Sequence, residues 1–252
     1  MLNQFIFRAI AHLPAFAVFV ASFATLSPSV FGELSYSDGH ADIGVAYDSG
    51  LELHWHMDTG AVIDGVPLVA EMEYAPDEVK AIVPIASSFS RGVSNSTWGF
   101  IGNNAGDTTY YLPEVPTVGV PYLGFGSEEL NPADWTSLVL SWNLSLTSAP
   151  IGGNFSMFTD LLTPTVAAST FLGDLDFTTV LGGHSHFNMG FTTPGIYDVL
   201  FTVSGNHAID GLVSDTQTYR FDVAAVPEPT SIAGALALGG AWVVNYRRRR
   251  KV

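Results

Sequence analysis

The chain has 252 residues, with 9 Lys+Arg against 24 Asp+Glu, a formal net charge of −15 and no cysteine. That balance excludes nucleic acid as a partner, since phosphate recognition needs clustered cations. The lack of cysteine excludes disulfides, thiolate zinc sites and thiol nucleophiles, so any metal must be held by His, Asp, Glu, Asn or water.

Residues 1–31 carry Arg8, then an apolar run from Ala9 to Leu26 interrupted by His12, Pro14, Ser22 and Thr25, then small residues. This order of a basic start, a short apolar stretch and small residues predicts a secretory signal peptide. An uncleaved amino-terminal anchor is the alternative.

Residues 32–225 form the predicted body, a single domain. They hold 23 of the 24 acidic residues and only Lys80, Arg91 and Arg220 as bases. Short segments with period-two alternation, separated by Gly, Pro, Asn and Asp, predict an all-β fold, a single immunoglobulin-like antiparallel β-sandwich. Strands are expected at 40–47, 51–58, 79–85, 97–101, 108–112, 137–146, 154–159, 165–172, 184–192, 195–204 and 217–224, with a short helix near Ser127 to Leu130. The proline-rich stretch from Leu112 to Gly126 reads as an irregular connection, and residues 94–108 as a surface loop. In 195–204, Tyr197, Val199, Phe201 and Val203 share one face, as expected of an interior strand with a buried side.

Three strands carry histidine on their polar faces. In 51–58, alternation sets Leu51, Leu53, Trp55 and Met57 against Glu52, His54, His56 and Asp58. In 184–191, Phe187, Met189 and Phe191 oppose His184, His186 and Asn188, and the first strand brings His40 and Asp42 together. Side chains two residues apart on a strand project the same way from Cα atoms about 6.6 Å apart, so paired imidazoles can converge on one ion. Neutral imidazole suits zinc or another divalent transition metal. The candidate metal ligands are therefore His184, His186, His54, His56, His40 and Asp42, with Asn188 and Asp58 as outer partners that orient a ring. A solvated polar face is the competing reading. The zincin motif, the Gly-x-Ser-x-Gly elbow and the P-loop are absent, so no catalytic residue is expected.

Residues 226–252 contain Pro227-Glu228-Pro229, an apolar stretch Ile232 to Val244, then Asn245, Tyr246 and five basic residues. A short membrane helix over 232–246 with a cytoplasmic basic tail puts the body outside the cytoplasm.

The tail resembles the PEP-CTERM sorting signal of Gram-negative bacteria. The resemblance implies an exosortase-type processing enzyme as partner, an inner-membrane intermediate, removal of the tail near Pro227, Glu228 and Pro229, and delivery to the cell surface or extracellular matrix. A plain tail anchor would give the same topology. Gly39-His40-Ala41-Asp42, Pro113-Glu114, Leu123-Gly124-Phe125 and the closing run Gly183 to Tyr197 resemble the choice-of-anchor M domain. That domain is found in actinobacterial surface-anchored proteins and in zinc-repressor-regulated PEP-CTERM proteins, and the likeness spans about 33–223. Met189 stands where the family usually has tryptophan, an exchange of one apolar side chain for another. The family context implies transition-metal handling, zinc favoured, without catalysis, and a metal-import system as partner. His40, Asp42, His184, His186 and Asn188 carry over by motif, whereas His54 and His56 rest on spacing. The leading expectation is an exported, non-catalytic metal binder; a structural or adhesive matrix module and a metal-dependent hydrolase are the alternatives.

Overall fold

The structure, a computed structural model, describes residues 33–223. The expected signal peptide, sorting motif and short membrane helix lie outside the described residues. Among the described residues no helix is long and apolar enough to cross a membrane.

The fold is all-β, as alternation predicts. The strands are β1 Leu34–Tyr47, β2 Leu51–Met57, β3 Val62–Ile63, β4 Val66–Pro67, β5 Met72–Tyr74, β6 Val79–Val83 and β7 Ser88–Ser90. A helix, α1 Asn95–Trp98, and a 3-10 turn, Gly99–Ile101, come next, followed by β8 Thr108–Leu112 and β9 Pro121–Gly126. After a second 3-10 turn at Pro132–Asp134 come β10 Val139–Ser148, β11 Phe155–Thr159, β12 Thr165–Ser169 and β13 Asp176–Val180. β14 His184–His186, β15 Asn188–Phe191, β16 Gly195–His207 and β17 Gly211–Val223 complete the order.

The larger sheet runs β13-β10-β16-β17-β6-β1-β2-β5, with β9 and β14 branching from β1 and with β3 and β4 at its side. The smaller runs β12-β11-β15-β8-β7. The larger sheet is mixed, not antiparallel as expected, because β1 pairs parallel with β6 and β9, and β17 pairs parallel with β6. Period-two patterning reports which face a side chain takes, but it is blind to strand direction.

β1 changes partners along its length. Leu34 to Tyr36 pair with β6, whereas Gly39 to Gly44 pair with β9 and Ala41 to Tyr47 with β2. The switch falls at Gly39, whose φ of 84° is left-handed and whose Cβ would lie 2.8 Å from the Ala61 Cα. Glycine alone takes that conformation at no steric cost.

The core lies where the two sheets meet. Phe155 and Phe191 of the smaller sheet pack on Phe201, Tyr197 and Phe221 of the larger, with ring centroids 5.1 to 6.4 Å apart. Trp55, Phe191, Tyr197 and Phe201 are wholly buried, as predicted, while Phe187 is only partly buried against this core. Each such ring contributes about 1.5–3 kcal/mol of transfer free energy.

Four local expectations are corrected. Residues 97–101 form the end of α1 and a 3-10 turn, not a strand. Phe100 and Ile101 cover Phe158 there, and five residues of mixed polarity do not separate one helical turn from a strand. Ser127 to Leu130 form a turn, not a helix; the Ser127 hydroxyl bonds the Gly183 carbonyl and accepts from the Gly182 N–H. The connection before Gly126 contains β9, hidden from sequence patterning by Pro121, Gly124 and Gly126. The strand expected at 184–192 breaks at Phe187, so β14 joins β9 in the larger sheet and β15 joins β8 and β11 in the smaller.

A histidine face as the candidate metal centre

The strand order β14-β9-β1-β2-β5 aligns the polar residues into rows on one sheet face. Across it, His186 stands opposite Gly124, Gly124 opposite Asp42, Asp42 opposite His56 and His56 opposite Glu73. The next row runs His184, Gly126, Gly44, His54. The opposite face of these strands, with Ala41, Ile43, Leu53, Trp55, Leu123 and Phe125, is core. Alternation therefore sends every one of these polar side chains to the same side.

The glycines make the room. A Cβ at Gly124 would collide with the Asp42 carboxylate and come within 2.7 Å of His186 Cε1. One at Gly126 would lie 3.0 Å from the Asp42 Cβ, and one at Gly44 would come within 2.8 Å of His54 Cε1. None of the three has a left-handed φ, so space and not backbone conformation calls for glycine.

Two clusters result. In the first, His40 Nε2 and His186 Nε2 are 3.3 Å apart and His40 Nε2 is 3.6 Å from Asp42 Oδ2. Two nitrogens bound to one tetrahedral zinc at 2.0–2.1 Å stand about 3.3–3.4 Å apart, so the spacing fits a shared ion. The His40 Nδ1 is 2.7 Å from Asp58 Oδ2. With a carboxylate accepting the Nδ1–H, the Nε2 lone pair is turned toward the cluster, as is usual for ligating histidines. His186 lies flat on Tyr122, with centroids 3.9 Å apart and planes at 9°. His184 sits on the rim, its Nδ1 2.5 Å from Glu128 Oε1.

Burial sets the charge states. Asp42 is buried, and its Oδ1 has no hydrogen-bond partner. Desolvation lifts its pKa to about 6 against the opposing pull of His40. Desolvation, then the charge of His40, lowers His186 to about 4. His186 is thus a neutral, ligand-ready imidazole at neutral pH. An orphaned buried carboxylate oxygen beside two convergent imidazole nitrogens fits a divalent cation.

The second cluster holds His54, His56, Glu73 and Glu129, whose ligand atoms all lie within 4.8 Å of one another. Glu129 Oε1 is 3.1 Å from His54 Nε2 and 3.5 Å from His56 Nδ1.

The six predicted ligands are therefore all on this face, but not around one point. β9 and β1 separate β14 from β2, a span of about 14 Å at the usual strand spacing, so the two His-x-His pairs cannot share an ion. Asp58 is brought beside His40 as expected. Asn188 is not: it stands in the smaller sheet and accepts the Glu114 N–H at 3.1 Å. His207 bonds Asp210 and packs on Tyr47 and Trp135 away from the face. Sequence reasoning missed Glu73, Glu128, Glu129 and Tyr122. Its available signal was Gly124 and Gly126, two residues apart and so on one face of a strand, with Glu128 and Glu129 just beyond.

No internal cation balances the acids here. Lys80 pairs with Asp222, Arg220 with Asp198 and Glu33, and the buried Arg91 bonds the Trp98 carbonyl and Asn95. Those are the three basic residues among the described ones, and each is engaged elsewhere. A cavity of about 550 Å³ opens beside His40, His184 and His186, walled by Tyr122 and by Pro116 to Val118. No known protein family, curated protein or solved structure matches the chain.

Proposed function

We propose that the protein binds a divalent transition metal, zinc favoured, at His40, Asp42 and His186, as an exported, surface-sorted, non-catalytic metal-binding protein. The observation that carries the reading is the 3.3 Å approach of His40 Nε2 to His186 Nε2 beside the Asp42 carboxylate, whose buried Oδ1 has no hydrogen-bond partner. An ion there would supply the positive charge that no Lys or Arg among the described residues brings to the face. The chain's own groups fix the ligands: Asp58 sets the His40 tautomer, Tyr122 holds the His186 ring plane, and Gly124 leaves the gap between His186 and Asp42.

Export and sorting rest on the two ends and on the PEP-CTERM and choice-of-anchor M resemblances, as do the exosortase and a metal-import system as partners. The immunoglobulin-like description of the body belongs to the same reading, supported by the packing of the smaller sheet on β16 and β17. Mass spectrometry of protein recovered from its host tests the topology, with a new amino terminus near residue 25–33 and loss of the basic tail expected. Recovery of the intact chain would overturn it. For the metal, purified protein should retain about one zinc per chain at the first centre after dialysis. His40→Ala with His186→Ala should remove it while the β spectrum persists.

A second pocket, lined by His40, Asp42, Glu128 and His184, favours one second reading, a metal-dependent hydrolase in which Glu128, bonded to His184, acts as base. Zinc-loaded protein that turned over activated esters, with the rate lost in Glu128→Gln, would establish it in place of the first.

A further inference from the structure

We propose that His54, His56, Glu73 and Glu129 form a second divalent-cation site, separate from the His40–Asp42–His186 centre and independent of whether that centre binds metal. The chemistry is a two-imidazole, two-carboxylate set suited to zinc or a similar borderline ion.

Rings of a His-x-His pair project the same way from Cα atoms about 6.6 Å apart, so they can converge on one ion. That is the arrangement here. His54 presents Nε2 and His56 presents Nδ1 to the same carboxylate oxygen, Glu129 Oε1, at 3.1 and 3.5 Å. These separations bracket the roughly 3.3–3.4 Å expected between two ligand atoms on one tetrahedral ion. Glu73 supplies the fourth group from β5, directly opposite His56 in the ladder. The buried His54 Nε2 has no hydrogen bond, since its approach to Glu129 lacks the geometry for one. Gly44 is the residue whose lack of a side chain admits the His54 ring. An ordinary ion pair would not need this convergence of two rings and two carboxylates.

Asp58 ties the two centres together without belonging to both. Its Oδ2 takes the His40 Nδ1–H at 2.7 Å, and its Oδ1 faces His56 Nε2 at 3.9 Å. A proton on His56 Nε2 leaves the Nδ1 lone pair for the second ion, just as the proton on His40 Nδ1 leaves Nε2 for the first. One carboxylate thereby favours the ligating tautomer of a ring in each site.

The test is zinc stoichiometry, by calorimetry and elemental analysis, on the chelator-treated purified chain with Zn²⁺ alone as probe. Wild type should bind two ions. His54→Ala with Glu129→Gln should bind one, and Asp42→Asn with His186→Ala should also bind one. Glu129→Gln alone, on a half-exposed turn residue, keeps the test valid if the double variant does not fold, and should weaken one of the two binding events at least tenfold. A wild type that binds a single ion, lost only in the Asp42/His186 variant, overturns this inference and leaves the first centre standing. A single ion lost only in the His54/Glu129 variant keeps it and defeats the first centre. Two ions retained in every variant, both ions lost together in one, or no ion in wild type would each overturn it.

Discussion

Gly124 lies directly across the parallel ladder from Asp42, and a methyl group there would enter the space that the Asp42 carboxylate and the His186 ring occupy. The first cluster thus depends on a residue with no chemistry of its own. Gly124→Ala keeps an allowed backbone and should cost about 1–3 kcal/mol of stability through overpacking. Its specific effect should be loss of the zinc held at His40, Asp42 and His186. Equal zinc retention in the variant and the wild type, by elemental analysis after dialysis, would separate this glycine from the site.

The pH dependence of the metal-free protein should carry two opposed contributions. Asp42 has a folded pKa of about 6, above its ordinary 3.8, so its contribution favours folding fully below 3.8 and is lost as pH rises through 6. His186 has a folded pKa of about 4, below its ordinary 6.5, so its contribution is present above 6.5 and is lost as pH falls through 4. Between pH 4 and 6.5 the two oppose. Relative to wild type, Asp42→Asn should lose more stability on acidification across this window, and His186→Gln should lose less. Denaturant titrations at pH 4.5 and 6.5 in chelator measure both slopes; parallel slopes in all three proteins would contradict the account.

Asn188 should matter to the fold and not to the metal. Asn188→Ala leaves the part-buried Glu114 N–H without its acceptor, at about 1 kcal/mol or somewhat more. Zinc retention should be unchanged. A variant of wild-type stability that lost zinc would return Asn188 to the site.

Phe201 is fully buried between Phe125, Phe155 and Tyr219. Phe201→Ala should cost about 3–5 kcal/mol by cavity formation, read as a lowered denaturation midpoint with an unchanged slope. A loss under 1 kcal/mol would be incompatible with this core.

Much of the architecture was legible along the chain because alternation is a local property. Leu53, Trp55 and Met57 had to oppose His54 and His56 on β2, and Tyr197 to Val203 had to line one face of β16, whatever partners those strands found. The ligand types were legible for the same reason: His40, Asp42, His54, His56, His184 and His186 all sit in phase with a polar face. Only the tertiary structure decided which of them meet. Strand order puts β9 and β1 between β14 and β2, and this divides one expected centre into two clusters. The break at Phe187 sends Asn188 to the other sheet. Glu73 reaches the face only through the pairing of β5 with β2, Tyr122 through β9, whose proline and glycines mask it, and Glu129 through the turn that follows β9. Gly124 reads as a strand breaker in sequence, yet it is what the site requires, because the need for its missing side chain comes from Asp42 and His186, residues 82 and 62 positions away in the chain.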